Sequence, residues 1–284
     1  MRSRTCLSPV ALGIVCGLLA GLMACTPAPD DTLPDEPAPN APAAYTTVTV
    51  ERSAGACDEP DAPCATFSAR YPRFLSDEVT GTPDEPALRA LDAAVERILL
   101  AATPGETTAT TLDEQAETFL AGWRDTVEAF PDQAVPMRWA SEKTIEVVER
   151  SPRVVSLRLD EYANTGGAHP NSYTAYTSLD PSTGRIYTLD DVLRDDTLPR
   201  LEELAEAAFR TARDLEPGVS LNAAGFYFDN DTFALAANWA ILGDSLVIHY
   251  NPYEVGPYVL GPTEITLDAT ALAPLIDPSG PMSD

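Results

Sequence analysis

Residues 137–165, MRWASEKTIEVVERSPRVVSLRLDEYANT, decide what kind of fold the chain adopts. Two runs rich in β-branched and apolar residues flank Ser151-Pro152, and Val155, Leu157 and Leu159 alternate onto one side. Period-two alternation marks a half-buried strand and proline interrupts it, so the spacing predicts two antiparallel strands. Downstream, residues 172–180 (SYTAYTSLD) and 185–189 (RIYTL) read as further strands about the turn DPSTGR, where Pro181 and Gly184 set a tight reversal. Upstream, residues 45–51 (YTTVTVE) and 65–71 (ATFSARY) alternate in the same way.

Between these strands the period changes. Leu88, Leu91, Val95, Ile98 and Leu99 follow the helix-initiating TPDEP at helical spacing. Leu112, Ala116, Phe119, Leu120, Trp123, Val127 and Phe130 form a second stripe, capped by Thr110 or Thr111 with Asp113 and Glu114 in its first turn. A third helix is predicted over residues 198–213 after TLDDVL, with Leu198, Leu201, Leu204, Ala205, Ala208 and Phe209 on one face. The last third gives strands at residues 233–242 (FALAANWAIL), 245–250 (SLVIHY) and 263–268 (TEITLD). These elements define an α+β chain: mainly antiparallel sheets packed with about three helices, in two sequential lobes over residues 45–184 and 185–284.

The first 24 residues have the order of a bacterial lipoprotein signal. Arg2 and Arg4 precede the apolar LSPVALGIVCGLLA, and Leu22-Met23-Ala24-Cys25 reads as a lipobox with Cys25 as the lipidation site. An ordinary signal peptide with an incidental Cys25 is the alternative. Residues 25–44 carry six prolines and no aromatic residue, except that Tyr45 follows at once, and this composition reads as an acidic extended linker. No other stretch is long and apolar enough to span a bilayer. The expected location is the cell envelope, lipid-anchored, with Thr26 after the cysteine favouring an outer membrane facing the periplasm. Cys57 and Cys64, spaced as CDEPDAPC, are read as a disulfide; a metal site has too few ligands nearby.

Charge restricts the partners. With 44 acids against 18 arginines and lysines the net charge is −26, and Lys143 is the one lysine. Nucleic-acid binding and flat adsorption onto anionic lipid both need a basic face, so neither is expected.

The candidate chemistry centres on residues 162–173, YANTGGAHPNSY, which hold one of only two histidines. One reading makes His169 a general base or ligand assisted by Asn171 or Tyr173; the other makes GGAHPN a shaped turn between strands. Metal catalysis by histidines is disfavoured because His169 and His249 form no ligand pair of recognised spacing. No G-x-S-x-G elbow occurs, and Asp229-Asn230-Asp231 only begins a calcium loop before Phe233 and Ala234 break it. No catalytic set, metal site or cofactor is assigned. Residues 249–262, HYNPYEVGPYVLGP, place Tyr250, Tyr253 and Tyr258 among glycines and prolines. They read either as a recognition surface or as a buried aromatic corner.

Taken in order, Tyr71-Pro72, an amphipathic helix, GGAHPN, TLDDVL, a helix and NWAILGDSLVIHYNPYEVGPYVLGPTEITLD resemble a bacterial envelope family. It is the extracytoplasmic domain of unknown function shared by the anti-sigma factor RsiV and the N-terminal, non-catalytic part of the deacetylase PdaC. The resemblance covers nearly all of residues 45–275. It implies a PdaC-like first lobe, an RsiV-like second lobe and a binding role, since the RsiV member binds lysozyme through this region. The catalytic domain of PdaC has no counterpart here, so its activity is not carried over, and RsiV's sigma-binding segment is absent. The expected function is non-enzymatic binding of a lysozyme-like protein or a peptidoglycan fragment, with candidate contacts Tyr162, His169, Asn171, Tyr253 and Tyr258. A cell-wall hydrolase using His169 and a structural envelope protein are the alternatives.

The acid excess suits either a salt-tolerant source or an ordinary acidic periplasmic protein. Self-repulsion at this charge is screened by salt, so the melting temperature should rise between low and molar sodium chloride. An unchanged melting temperature by scanning calorimetry would remove self-repulsion from the account.

Overall fold

The computed structural model describes residues 43–74, 85–101, 109–131 and 137–283. Cys25, the expected signal peptide over residues 1–24 and most of the expected linker over residues 25–44 lie outside the described residues. The described residues fall in one compact unit.

Five strands make the larger sheet, in the order β1-β2-β3-β4-β5. They are β1 (Thr46–Gly55), β2 (Cys64–Arg73), β3 (Arg138–Arg150), β4 (Val155–Asn164) and β5 (Asn171–Leu179). Neighbours pair antiparallel except β2 with β3, which run parallel. The helices α1 (Glu85–Leu100) and α2 (Leu112–Ala129) lie in the connection that this parallel step requires. The 137–165 stretch folds as its alternation predicts, Leu157 opposite Val147 and Leu159 opposite Ile145. Leu157, Leu159 and Ile145, with Phe67 and Ala69 of β2, are buried against Leu88, Leu91, Val95 and Leu99 of α1, and Val147 packs half-buried at their margin. The opposite face carries Thr66, Ser68, Arg70, Arg158 and Asp160, so one face is core and the other is polar.

Two constraints set this half. Lys143 is 4% exposed, faces Glu161 directly across β3 and β4, and holds its carboxylate at 2.7 Å. Its ammonium also lies 3.4 Å from the Leu99 carbonyl at the end of α1, where a cation complements the helix dipole. A register slip by one residue would turn both charges over to the polar face and bring apolar residues out. At the other margin, Cys57 and Cys64 are joined by a disulfide with Cα atoms 4.9 Å apart, closing the loop between β1 and β2. A loop this short is worth about 2–3 kcal/mol in chain entropy. Helix α2 is capped by Thr111, whose side chain accepts from the Glu114 amide.

The second sheet is β6 (Trp239–Leu242), β7 (Ser245–Tyr250) and β8 (Thr263–Leu267), antiparallel throughout. Helix α4 (Leu198–Ala212) packs on it through Leu201, Ala205 and Phe209. Phe209 meets Phe226, Phe228 and Tyr250 edge-on at 5.0–5.4 Å, a preferred aromatic arrangement. The core of this half draws on residues beyond 185 apart from Val154, and the first core on residues before it. Two single-turn helices, α3 (Leu189–Val192) and α5 (Ala269–Leu272), add to the three long ones expected.

Two predicted strands are corrected. Residues 233–242 form a strand only over β6, because Phe233 and Ala236 pack into the aromatic cluster and the Ala234 carbonyl is taken by the Tyr250 hydroxyl. Residues 185–189 keep a single bridge, Ile186 to Leu179, because the chain turns into α3 at Thr188. Gly184 in that turn has φ +64°, and a Cβ there would collide with the Ala90 carbonyl of α1. This is why the reversal needs glycine.

Asp191 organises the passage between the two halves. Its Oδ2 accepts from Arg185 at 2.8 Å and from the amide and hydroxyl of Thr188 at 2.8 and 2.9 Å. The Arg185 hydrogen bond, followed by those of Thr188, overcomes desolvation and lowers the Asp191 carboxyl to about 2. A folded pKa below the unfolded value means that the stability Asp191 adds is complete above about pH 4 and lost as pH falls toward 2. Asp191→Asn should therefore cost on the order of 1 kcal/mol at neutral pH and flatten the acid limb. The check is urea unfolding from pH 5 to pH 2, where equal slopes for both proteins would refute this role.

Candidate functional site

An edge strand presents unpaired amides and carbonyls, and β5 is the outer strand of its sheet. Its edge is closed by side chains from the second half. The amide of Thr174 donates to Asn251 Oδ1 and that of Tyr176 to Asn238 Oδ1, both at 2.7 Å. In return the Thr174 carbonyl accepts from both carboxamides, at 2.9 Å from Asn251 and 2.7 Å from Asn238. An asparagine offers the same donor and acceptor as a peptide group, so these two act as a substitute strand. Two residues on, the Ile241 amide donates to Ser178 Oγ at 2.9 Å, and Ser156 Oγ donates to the Ile241 carbonyl at 2.6 Å. Ser156 and Ser178 are buried and hydrogen-bonded to each other at 2.8 Å.

Over this seam runs the turn Asn251-Pro252-Tyr253-Glu254. Glu254 Oε2 accepts from the Asn251 amide at 2.8 Å, and the Glu254 amide donates to the Asn251 carbonyl at 3.1 Å. The turn places Tyr253 at φ +69°, an unfavourable backbone for a bulky residue, and leaves it 57% exposed.

The GGAHPN turn meets it from the other side. Gly166 and Gly167 take φ +87° and +102°, which ordinary residues rarely adopt, so the glycines are needed to bring His169 round. Nδ1 of His169 donates to the Pro170 carbonyl at 2.9 Å, and Nε2 accepts from the Tyr253 hydroxyl at 3.0 Å. The imidazole stacks on Tyr258 with centroids 4.0 Å apart and planes 12° from parallel. Tyr253 and Tyr258 lie 5.5 Å apart. Three of the residues singled out by sequence are therefore one cluster, joined across 84 residues of chain. Both His169 nitrogens are engaged, so its chemistry here is that of a pin. Tyr162 and Asn171 stand apart from this cluster: they sit on the paired ends of β4 and β5, on opposite faces of the sheet.

The loop reading of HYNPYEVGPYVLGP also resolves. Tyr250 is the buried corner, 1% exposed, its hydroxyl donating to the Ala234 carbonyl, and burial pushes its phenol well above the ordinary range. Tyr253 and Tyr258 form the outward part.

Two clefts open beside the turn. One, of about 530 Å³, is lined by Tyr173, Tyr176, Asn238, Asn251, Tyr253 and Glu254. The other, of about 340 Å³, takes in Thr174, His249, Tyr258, Val259 and Leu260. Both fall in the size range of small-ligand sites, roughly 300–1,000 Å³. Tyr253 lines the first and Tyr258 the second, and the His169 cluster stands between them.

The second histidine belongs to a constellation that sequence reasoning missed. His249 of β7 lies opposite Glu264 of β8, and its Nδ1 is 3.1 Å from Glu264 Oε2. The Tyr176 hydroxyl donates to the same oxygen at 3.0 Å. Burial, then that hydrogen bond to a carboxylate, raises Tyr176 to about 12. Arg158 sits 6.0 Å over the Tyr176 ring and pairs with Asp160, which also accepts from Thr174 Oγ1. The only signal was alternation within SLVIHY and TEITL; the register that joins them depends on a long loop. Among the described residues no group of three or more His, Cys, Asp or Glu is placed to hold a metal ion. Among the same residues no helix is long and apolar enough to cross a membrane.

Comparison with known proteins now bears on this geometry. Residues 61–172 match the family model for deacetylase PdaC, and residues 190–269 match that for a protein of unknown function, DUF3298. A DUF3298 member from Bacteroides fragilis superposes with TM-score 0.67 at 18% identity, covering 84% of this chain and 95% of its own. A DUF3298 protein from Pseudomonas aeruginosa gives 0.59 at 20% identity, covering 83% and 96%. No curated protein matches the chain. The chain thus has a PdaC-like segment followed by a DUF3298-like segment, with the fold of the solved DUF3298 structures. These modules suggest a cell-envelope-associated protein. His169 lies in the first match, Tyr253 and Tyr258 in the second, so the cluster ties the modules together.

Asn251→Ala would leave the Thr174 amide facing no partner in a half-buried seam, which costs about 1–3 kcal/mol. Chemical denaturation should show that loss, and amide exchange at Thr174 should quicken more than at Leu157. Slow exchange retained at Thr174 would mean that the seam does not depend on this side chain.

Proposed function

We propose that the protein is a lipoprotein of the bacterial envelope, anchored through Cys25 and facing the periplasm. Its two-module domain binds an envelope component, either a lysozyme-like protein or a peptidoglycan fragment, without chemical turnover. The observation that carries this reading is the rim formed by Tyr253 and Tyr258. A tyrosine held outward on a costly positive-φ backbone, locked by a histidine and flanked by two clefts, is organised for contact more than for packing.

Further support comes from charge and anchoring. A chain with net charge −26 attracts cationic proteins over long distances, and basic cell-wall hydrolases fit that field. The acidic, proline-rich residues 25–44 would hold the domain away from the membrane surface as a spacer. His169 has no free nitrogen with which to act as a base, so binding is favoured over hydrolysis by that residue.

Full-length chain in mild detergent should bind a purified lysozyme or a muropeptide digest in surface plasmon resonance. Tyr253→Ala and Tyr258→Ala should each weaken that binding by roughly tenfold or more, as for aromatic anchors at interfaces. Binding of both ligands at full strength by the double variant would end the proposal. Metabolic labelling with a palmitate analogue, lost in Cys25→Ala, tests the anchor.

A further inference from the structure

His249 is the second of two histidines, and the proposed function does not use it. It is 6% exposed, fixed by its backbone amide on the Asn238 carbonyl at 2.8 Å and by Nδ1 on Glu264. Nδ1 facing a carboxylate carries the proton, which makes Nε2 of the neutral ring an acceptor. Nε2 has no hydrogen-bond partner among the described residues and is open to solvent at the cleft, while the rest of the residue is buried. It borders the 340 Å³ cleft, where a ligand would reach it. A ligand filling the cleft would cover this oriented acceptor and displace its water, so it must itself bring a donor.

The rest of the cleft defines that donor. Tyr258 is a wall, one ring face covered by His169 and therefore held rigid. Pro252, Leu260 and Pro262 supply apolar surface, and Ser172 and Thr174 supply hydroxyls. No arginine or lysine lines it, and Glu264 stands behind the histidine, so an anion is disfavoured. A fully apolar ligand would leave Nε2 unsatisfied. What remains is a ring with an apolar face and hydroxyl or amide donors at its edge. We propose that this cleft binds a neutral saccharide unit: its ring face lies on Tyr258, and a sugar hydroxyl or N-acetyl amide donates to His249 Nε2. Glu264 acts as a positioning residue that fixes the tautomer, and Tyr176 holds Glu264 in turn. This rests on the binding role proposed above and names the chemistry of one of its two possible components.

Because the chain has two histidines, ring-nitrogen NMR of ¹⁵N-histidine-labelled full chain in detergent resolves both. Titration with the N-acetylglucosamine tetramer should shift the His249 Nε2 resonance and leave His169 nearly still. His249→Gln should weaken tetramer binding by about tenfold, the worth of a hydrogen bond of about 1.4 kcal/mol. Glu264→Gln, on a half-exposed side chain, should fold normally, lose several-fold in affinity and raise the population of the other His249 tautomer. A saturating tetramer that leaves the His249 nitrogens unmoved overturns the assignment, as does tetramer binding in Glu264→Gln at full strength with an unchanged tautomer. If lysozyme binds through Tyr253 while the tetramer leaves His249 unmoved, only the saccharide assignment fails. If neither ligand binds, the binding role fails with it.

Discussion

The free edge of β5 governs the rest of the molecule. A five-stranded sheet that ends there leaves amides and carbonyls without partners, in a place where the second half must pack. Pairing with another full strand would have made one continuous sheet. Instead two carboxamides and a pair of serines meet the edge at Thr174, Tyr176 and Ser178. Side chains are shorter than a strand and can approach at an angle, so the second sheet is free to turn away. That turn creates a space on either side of the seam, and both clefts lie there.

The rim follows from the same constraint. To put Asn251 on Thr174, the chain must reverse immediately afterwards, and Tyr253 is forced into the left-handed region. The cost is offset locally by the Glu254 hydrogen bond and by His169, which takes the Tyr253 hydroxyl and covers Tyr258. One turn from each module therefore holds the other in place. The strained residue and its lock come from segments that the PdaC-like and DUF3298 matches cover separately.

Charge is distributed with a similar economy. The single lysine is turned inward to Glu161 and the end of α1, which leaves arginines to carry the surface cations. Several of these are tied to backbone carbonyls: Arg138 to the disulfide loop, Arg213 to residues 260–262, Arg194 to Ile276. The guanidinium fork suits that use, because several donors point in fixed directions. The acids that remain without such partners give the surface its strongly negative field.

Local pattern accounts for much of what the sequence by itself determined: the class of fold, the three long helices, the β3–β4 hairpin, the strands β7 and β8, and the two-module resemblance. These depend on periodicity, capping and turn residues within short windows, and Val155, Leu157 and Leu159 or Leu201, Ala205 and Phe209 announce their faces without help. It also singled out His169, Tyr253 and Tyr258 as unusual. What it left open was whether they touch, and it considered His249 only as a metal ligand and Glu264 not at all. Their pairing depends on the register between β7 and β8 across a long loop, and a shift of one residue would turn the histidine to the other face. The same holds for Asn238 and Asn251, which look like ordinary loop polar residues until β5 supplies the edge they complete. Only tertiary structure decides such matters, because a hydrogen bond between residues 77 positions apart has no local signature.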